Sequence, residues 1–382
     1  MPELPQELIN AIVDKVPDSS LVACSLTSTA FVAPSQRRLF RQMVMALTDV
    51  PAYERAARLL DFSPHLGRHV RSLAVHLTGI PRNFSLLRNI LGYLSEHVER
   101  VAIAGDSVTV NQISEHPGLM NLISLPSIKC LAFEHMNGVP AALISRALST
   151  CEQVLLSYLT IADEDELASE VSARPGSLRN FSIAGDALLS FALHPMRIGS
   201  LHQLKWLSII FPPITGALVP GFMDLLASCA WTLEYLELEF ELDLPRLPAL
   251  PLLKHLVIWL DLKMTLTEPD IVASILIESM EHKNLEVITF ALLDRLEHDQ
   301  RWADRNPAAW VEVDWVFANS PLRNLRQVEF SLRWFPEQGV NFAEFSSFME
   351  DHLPRTVNAG MSLFSHREVA RHPMDRFSVD DT

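Results

Sequence analysis

One six-residue pattern recurs along most of this chain: an apolar residue, two variable ones, a second apolar residue, one variable residue and a third apolar one. It occupies Val70 to Val75, Val98 to Ile103, Ile128 to Phe133, Cys151 to Leu156 and Leu178 to Ile183. It continues at Leu204 to Ile209, Leu233 to Leu238, Leu253 to Ile258, Leu285 to Phe290 and Leu325 to Phe330. Alternation at the end of each copy is the period of a short strand with its apolar set turned inward. Copies start 20 to 40 residues apart. Helix-like stretches fill the intervals, among them Ser85 to His97, Ala141 to Thr150, Glu164 to Ala173, Phe222 to Ala230 and Pro269 to Lys283. Strand, helix, strand in one direction predicts a parallel sheet with helices outside it, stacked so that each unit contacts mainly its neighbours. The competing architecture is a doubly wound α/β sheet, whose nucleotide-binding forms carry a Gly-rich turn at the strand-order reversal. No G-x-G-x-x-G or G-x-x-x-x-G-K-[ST] occurs among the 13 scattered glycines.

The spacings mostly match the roughly 20–29-residue period of leucine-rich repeats, and the pattern resembles that family in a degenerate form without the regular Asn/Cys position. Strand parity then assigns a concave face. Its early positions are small, such as Ser72, Ala74, Ala102, Ala132 and Ser182. Its later ones cluster rings and carboxylates: Trp206, Tyr235, Glu237, Glu239, His255 and Trp259. Aromatic anchors beside charges are typical of protein-binding hot spots, so these six are the candidate substrate-binding residues. Their carboxylates favour a basic or hydrogen-bond-donating ligand. The competing expectation is that the rings pack beneath the long insertions at 261–284 and 293–324.

The first 45 residues follow a different period. Pro5 suits a first helical turn, and Glu7 suits the positive end of the helix dipole. Leu8, Ile9, Ile12, Val13 and Val16 make one apolar stripe. Pro17 stops that helix, and Asp18, Ser19 and Ser20 can cap a second one carrying Leu21, Val22, Cys24 and Leu26. Pro34 can open a third, with Leu39, Phe40 and Met43 on one face. Residues 2–45 resemble an F-box, the motif by which substrate receptors dock onto a Skp-type adaptor. Leu4, Pro5, Leu8, Ile12, Leu21 and Leu26 stand where the family keeps apolar adaptor contacts, and Phe31 matches its Ser/Cys-x-x-Phe aromatic. The chain departs from the family at Ser20-Leu21, usually Asp-Leu, and at Phe40, where a Trp often closes the motif.

Composition narrows the function classes. The chain has 382 residues, 48% of them hydrophobic, with no run near the ~20 apolar residues of a membrane span. No secretory signal pattern opens it. Its four cysteines fall at no metal or disulfide spacing, as expected of reduced, intracellular thiols. Net charge is −15, which argues against nucleic acid and anionic membrane as partners. His65 and His69 have the spacing of a zinc pair but lack a thiol or carboxylate companion; two solvated loop histidines are the simpler reading. Asp163 to Glu166 reads as a helix cap. No hydrolase, metalloprotease or Ser-x-x-Lys motif occurs, so no catalytic site, metal or cofactor is expected.

The expected organisation is an F-box at 1–45, a linker helix at 46–66 carrying Tyr53, Ala57 and Leu60, a leucine-rich-repeat-like solenoid at 67–354 and a polar, mobile tail at 355–382. The fold class is α/β. The resemblance to fungal-type F-box/leucine-rich-repeat proteins implies that the chain is the non-catalytic substrate-recognition subunit of an SCF-type (Skp–cullin–F-box) E3 ubiquitin ligase, cytoplasmic or nuclear. Its implied partners are a Skp-type adaptor, a cullin scaffold and a protein substrate. The alternative is a repeat scaffold acting outside a ligase.

Overall fold

The computed structural model describes residues 4–45, 50–77, 81–94, 97–105, 117–162, 177–185, 201–210, 219–239, 247–261, 282–293, 307–319, 324–334, 342–358 and 362–369. The chain forms two compact units, Met1–Ser169 and Glu170–Thr382. Each is a parallel α/β ladder.

The first unit begins with three helices, α1 (Gln6–Lys15), α2 (Leu21–Thr27) and α3 (Thr29–Leu39). Five strands follow: β1 (Gln42–Met45), β2 (Ser72–Leu77), β3 (Arg100–Gly105), β4 (Cys130–Glu134) and β6 (Gln153–Ser157). They pair in parallel in that order. A small ladder, β5 (Val139–Pro140) with β7 (Ile161–Ala162), lies beyond the ends of β4 and β6. Helices α4 (Val50–Phe62), α5 (Pro81–Tyr93), α6 (Pro117–Ile123) and α7 (Ala141–Thr150) fill the crossovers. The second unit pairs β8 (Asn180–Ala184), β9 (Trp206–Ile210), β10 (Tyr235–Glu239), β11 (His255–Asp261), β12 (Val287–Leu293), β13 (Gln327–Trp334) and β14 (Ser362–Val369), again all parallel.

The register is the one the sequence pattern requires. Leu73, Val101, Leu131 and Val154 face one another across the first unit. Phe181, Leu207, Leu236, Leu256, Ile288 and Val328 do so across the second. All ten are buried. A one-residue slip would turn each of these columns to the opposite face.

A second column, just before each strand, carries charge. It runs Arg71, Glu99, Lys129 and Glu152 in the first unit, then Arg179, Lys205, Glu234, Lys254, Glu286 and Arg326 in the second. Within each unit, each amide donates to the preceding member's carbonyl at 2.8–2.9 Å. Opposite charges on neighbouring strands favour this register over a slipped one. Glu234 accepts from Lys205 Nζ at 3.1 Å and from Lys254 Nζ at 2.6 Å, and Lys254 first, then Lys205, holds its carboxyl below the usual range. A lowered folded-state pKa stabilises above the ordinary carboxylate range and is lost as pH falls through it. Glu234→Gln should therefore lower the melting temperature slightly at neutral pH. The difference should shrink as pH falls through and below the ordinary carboxylate range and also shrink in high salt, as melting curves at several pH values would show.

Three sequence expectations change. The third helix starts at Thr29, not Pro34, because the Ser28 hydroxyl accepts from the Ala30 amide at 3.4 Å and caps it early. Pro34 then lies inside the helix. Met43 is not helical: Phe40, Met43 and Met45 repeat the strand pattern, and β1 pairs with β2 one step ahead of the first expected copy. The ladder thus starts inside the span expected to be purely F-box. At the other end, the expected tail at 355–382 is structured over 355–358 and 362–369. The helix Pro354–Asn358 and strand β14 continue the fold. Residues 370–382, the expected helices at Glu164 to Ala173 and Pro269 to Lys283, and the acidic run 163–166 lie wholly or mostly outside the described residues.

That last helix is tied down by a buried carboxylate. Asp314, in the helix Pro307–Ala318, accepts from the Arg355 amide at 3.0 Å, the Thr356 amide at 2.8 Å and the Thr356 hydroxyl at 2.8 Å. These are first-turn N–H groups, which otherwise have no helical acceptor. Asp314→Ala should cost about 1–3 kcal/mol by leaving them desolvated and unsatisfied. A denaturant titration would register it, with Asp314→Asn intermediate.

Candidate functional sites

Two surfaces stand out, one in each unit. The first is on α1 and α2. In α1, Ile9 and Val13 point inward and are buried. Leu4, Leu8 and Ile12 point outward, with 53%, 52% and 44% of their area exposed. In α2, Leu21 is buried, while Val22 and Leu26 are 57% and 82% exposed. Leu4 just before α1, Leu8 and Ile12 on it, and Val22 and Leu26 on α2 thus face solvent. Exposed apolar groups this closely spaced mark interaction sites.

Arg38 of α3 fixes how that surface is presented. Its Nη1 donates to the carbonyls of Val13 at 2.5 Å and Val16 at 2.7 Å, and its Nη2 to Asp18 Oδ1 at 2.5 Å. It satisfies carbonyls at the negative end of α1 and links them to the turn that starts α2. Glu7 and Lys15 lie in the first and last turns of α1, each at the end that suits its charge.

The sequence reading of this surface needs one correction and one addition. Leu21 is wholly buried and so is not part of the exposed face. Pro5 is exposed and Phe31 half-buried. Val22 was missing. The signal was present: Val22 and Leu26 are four residues apart and share a helix face, whereas Leu21 and Leu26 do not.

The second surface is on the strands of the second unit, and the structure divides the six residues placed there. Trp206, Tyr235 and His255 occupy one cross-strand row. Trp206 and Tyr235 stack with ring centroids 5.2 Å apart and planes 19° from parallel. Tyr235 and His255 follow at 6.2 Å and 31°. The first two are half-buried and His255 is exposed. Glu237, Glu239 and Trp259 are instead buried. The Trp259 indole donates to Glu237 Oε1 at 2.7 Å. Trp259 packs with Val257 and Ala291, and Tyr235 and Ile210 lean on that cluster. These two carboxylates are therefore buried along the strand from the aromatic row rather than open to a surface ligand. Parity along a strand gives a face; it does not give depth. The residues of the flanking insertions are only partly described.

Among the described residues, no group of three or more His, Cys, Asp or Glu comes together with metal-binding geometry. His65 and His69 sit on a 3-10 turn, Pro64–His69. Burial first, and then the cations Arg68, Arg37 and Arg71 along with His65, hold the His69 pKa down. None of the four cysteines forms a disulfide. Burial pushes the Cys151 thiol up to about 11 and the Cys229 thiol up to about 12, so neither supplies a thiolate near neutrality. No described helix is long and apolar enough to cross a membrane.

No family model matches the sequence, and no curated protein matches it. Among solved structures, the chain aligns with one from the crystal structure of a Rad7 and Elc1 complex in yeast. The TM-score is 0.44 and the identity 14%, over 98% of this chain and 100% of that one.

Proposed function

We propose that this chain is the substrate-recognition subunit of an SCF-type E3 ubiquitin ligase. The N-terminal helices dock onto a Skp-type adaptor, itself carried by a cullin scaffold. The parallel ladder holds a target protein so that a conjugating enzyme can modify its lysines. The chain contributes no bond-making chemistry; its effect is proximity. On this reading it acts in the cytoplasm or nucleus.

The observation that supports the reading most directly is the outward row Leu4, Leu8, Ile12, Val22 and Leu26. A helical segment that buries Ile9, Val13 and Leu21 against its own neighbours has no folding reason to keep a second apolar face. Covering each such side chain with a partner contributes roughly 1.5–3 kcal/mol, enough over several residues to sustain a stable complex. Co-purification of a Skp-type adaptor and a cullin with the full chain tests the proposal. A ligase receptor recovers both; a scaffold acting outside the ligase recovers neither.

A further inference from the structure

The repeat face of the second unit carries information about the sign of its ligand, and it points away from the basic partner that the sequence favours. Three observations combine. First, Glu237 and Glu239 are 1% and 9% exposed, and Glu237 already accepts from the Trp259 indole at 2.7 Å. They cannot present negative charge to a ligand at the surface.

Second, the rings of the row pack on one another, Trp206 stacked on Tyr235 and His255 tilted against it. Tyr235 lies between Trp206 at 5.2 Å and His255 at 6.2 Å. A cation–π contact needs a ring face, and the stack turns the faces of Tyr235 toward its neighbours. What a stacked row offers outward is ring edges, the electropositive part of the aromatic quadrupole. Edges of this kind attract carboxylates and repel ammonium groups.

Third, the charged column runs along the end of this row: Lys205, Glu234 and Lys254 are the residues just before Trp206, Tyr235 and His255. In the second unit it holds Arg179, Lys205, Lys254 and Arg326 against Glu234 and Glu286, a local excess of positive charge on a chain whose net charge is −15. The four cations are exposed. Lys205 and Lys254 each give one hydrogen bond to Glu234, and an ammonium has two further N–H donors. Glu234 thus holds the two ammonium groups on either side of itself without using up their donors.

From these observations we propose that the row Trp206–Tyr235–His255, with Lys205 and Lys254 beside it, captures an acidic segment of a partner protein. The segment lies across the strands. Its carboxylates meet the ammonium groups and ring edges, and its apolar or aromatic side chains cover the row. The inference rests on the reading of this chain as a substrate receptor and assigns the chemistry of the substrate.

The test uses the full chain and two fluorescent synthetic probes of equal length, a glutamate–tyrosine copolymer and a lysine–tyrosine copolymer, with binding followed by anisotropy. A chain with charge −15 would by its overall field favour the basic probe, so preference for the acidic one must come from a local site. The acidic probe is expected to bind at least about tenfold tighter, with affinity falling as salt is added. Lys205→Glu combined with Lys254→Glu should remove that preference, and Glu234→Gln should strengthen acidic binding a few-fold. If the reversal variant fails to fold, as judged by circular dichroism, Lys205→Gln with Lys254→Gln should still lower acidic binding severalfold. The proposal is overturned if the lysine probe binds as tightly or tighter, if neither probe binds, or if the lysine variants bind the acidic probe like wild type. Adaptor co-purification is read on the other unit, so either result can fail while the other stands.

Discussion

Phe330→Ala should be among the most damaging single substitutions in the second unit, lowering its unfolding free energy by about 3–5 kcal/mol. Phe330 is wholly buried at the centre of an aromatic cluster. Its ring stacks on Phe290 at 5.4 Å and 20°, and meets Trp310 edge-on at 5.9 Å and 70°. Trp310 in turn meets Phe348 edge-on at 6.1 Å and 87°, and Phe290 meets Phe317 at 6.2 Å and 75°. These rings come from β12, β13 and two helices, so removing the central one opens a cavity that no single element can collapse to fill. Aromatic pairs add roughly 0.5–1.5 kcal/mol beyond area burial, which places the loss in the upper part of the range. Urea titration measures it. The matched surface change, Lys205→Ala, removes an ion pair to Glu234 and should cost at most about 1 kcal/mol. Similar losses for the two variants would show that the cluster is not the core of this unit.

The second large effect is on partner binding. Leu8→Asp combined with Ile12→Asp should abolish capture of a Skp-type adaptor while leaving the melting curve nearly unchanged. Both side chains are about half exposed, at 52% and 44%. Charging them costs the folded chain little, because surface substitutions away from packed features usually stay within about 0.5 kcal/mol. In a complex the same two carboxylates would be carried into an apolar interface. A buried charge without a partner costs several kcal/mol, so binding should fall by more than the lost apolar contact alone implies. Wild-type recovery of the adaptor by the double variant would refute the docking assignment. Ile9→Asp makes the useful contrast: Ile9 is buried, so its replacement should damage folding itself.

Much of the fold was legible because a repeat advertises its own register. Three apolar positions per copy, set two residues apart at the end, force one side of each strand inward whatever the neighbours are. Leu207, Leu236 and Leu256 consequently face one another across β9, β10 and β11, as their places in the pattern require. Four strands fall outside the ten copies, and two of them, β1 and β14, show the limit of that signal. Phe40, Met43 and Met45 carry the pattern, but they sit where helix signals from the preceding segment overlap it. β14 aligns Leu363 with Val328 but sets Ser365 against Phe330, so its sequence no longer reads as a copy. Pairing with β13 supplies what the sequence lacks.

The candidate sites divide in the same way. The amphipathic stripe of α1 determined by itself that Leu8 and Ile12 would share a face, since helical period alone sets that. Which of its two apolar edges meets the body of the protein, and which stays open, was decided by α3 and by Arg38 reaching the Val13 and Val16 carbonyls. On the strands, alternation determined that Trp206, Tyr235, Glu237, Glu239, His255 and Trp259 lie on one side of the sheet. Only the tertiary structure separated an accessible aromatic row from a buried carboxylate–indole pair. The physical reason is that strand period is a local property of the backbone. Burial depends on what the rest of the chain lays over that face, and the sign of charge left at the surface follows from burial.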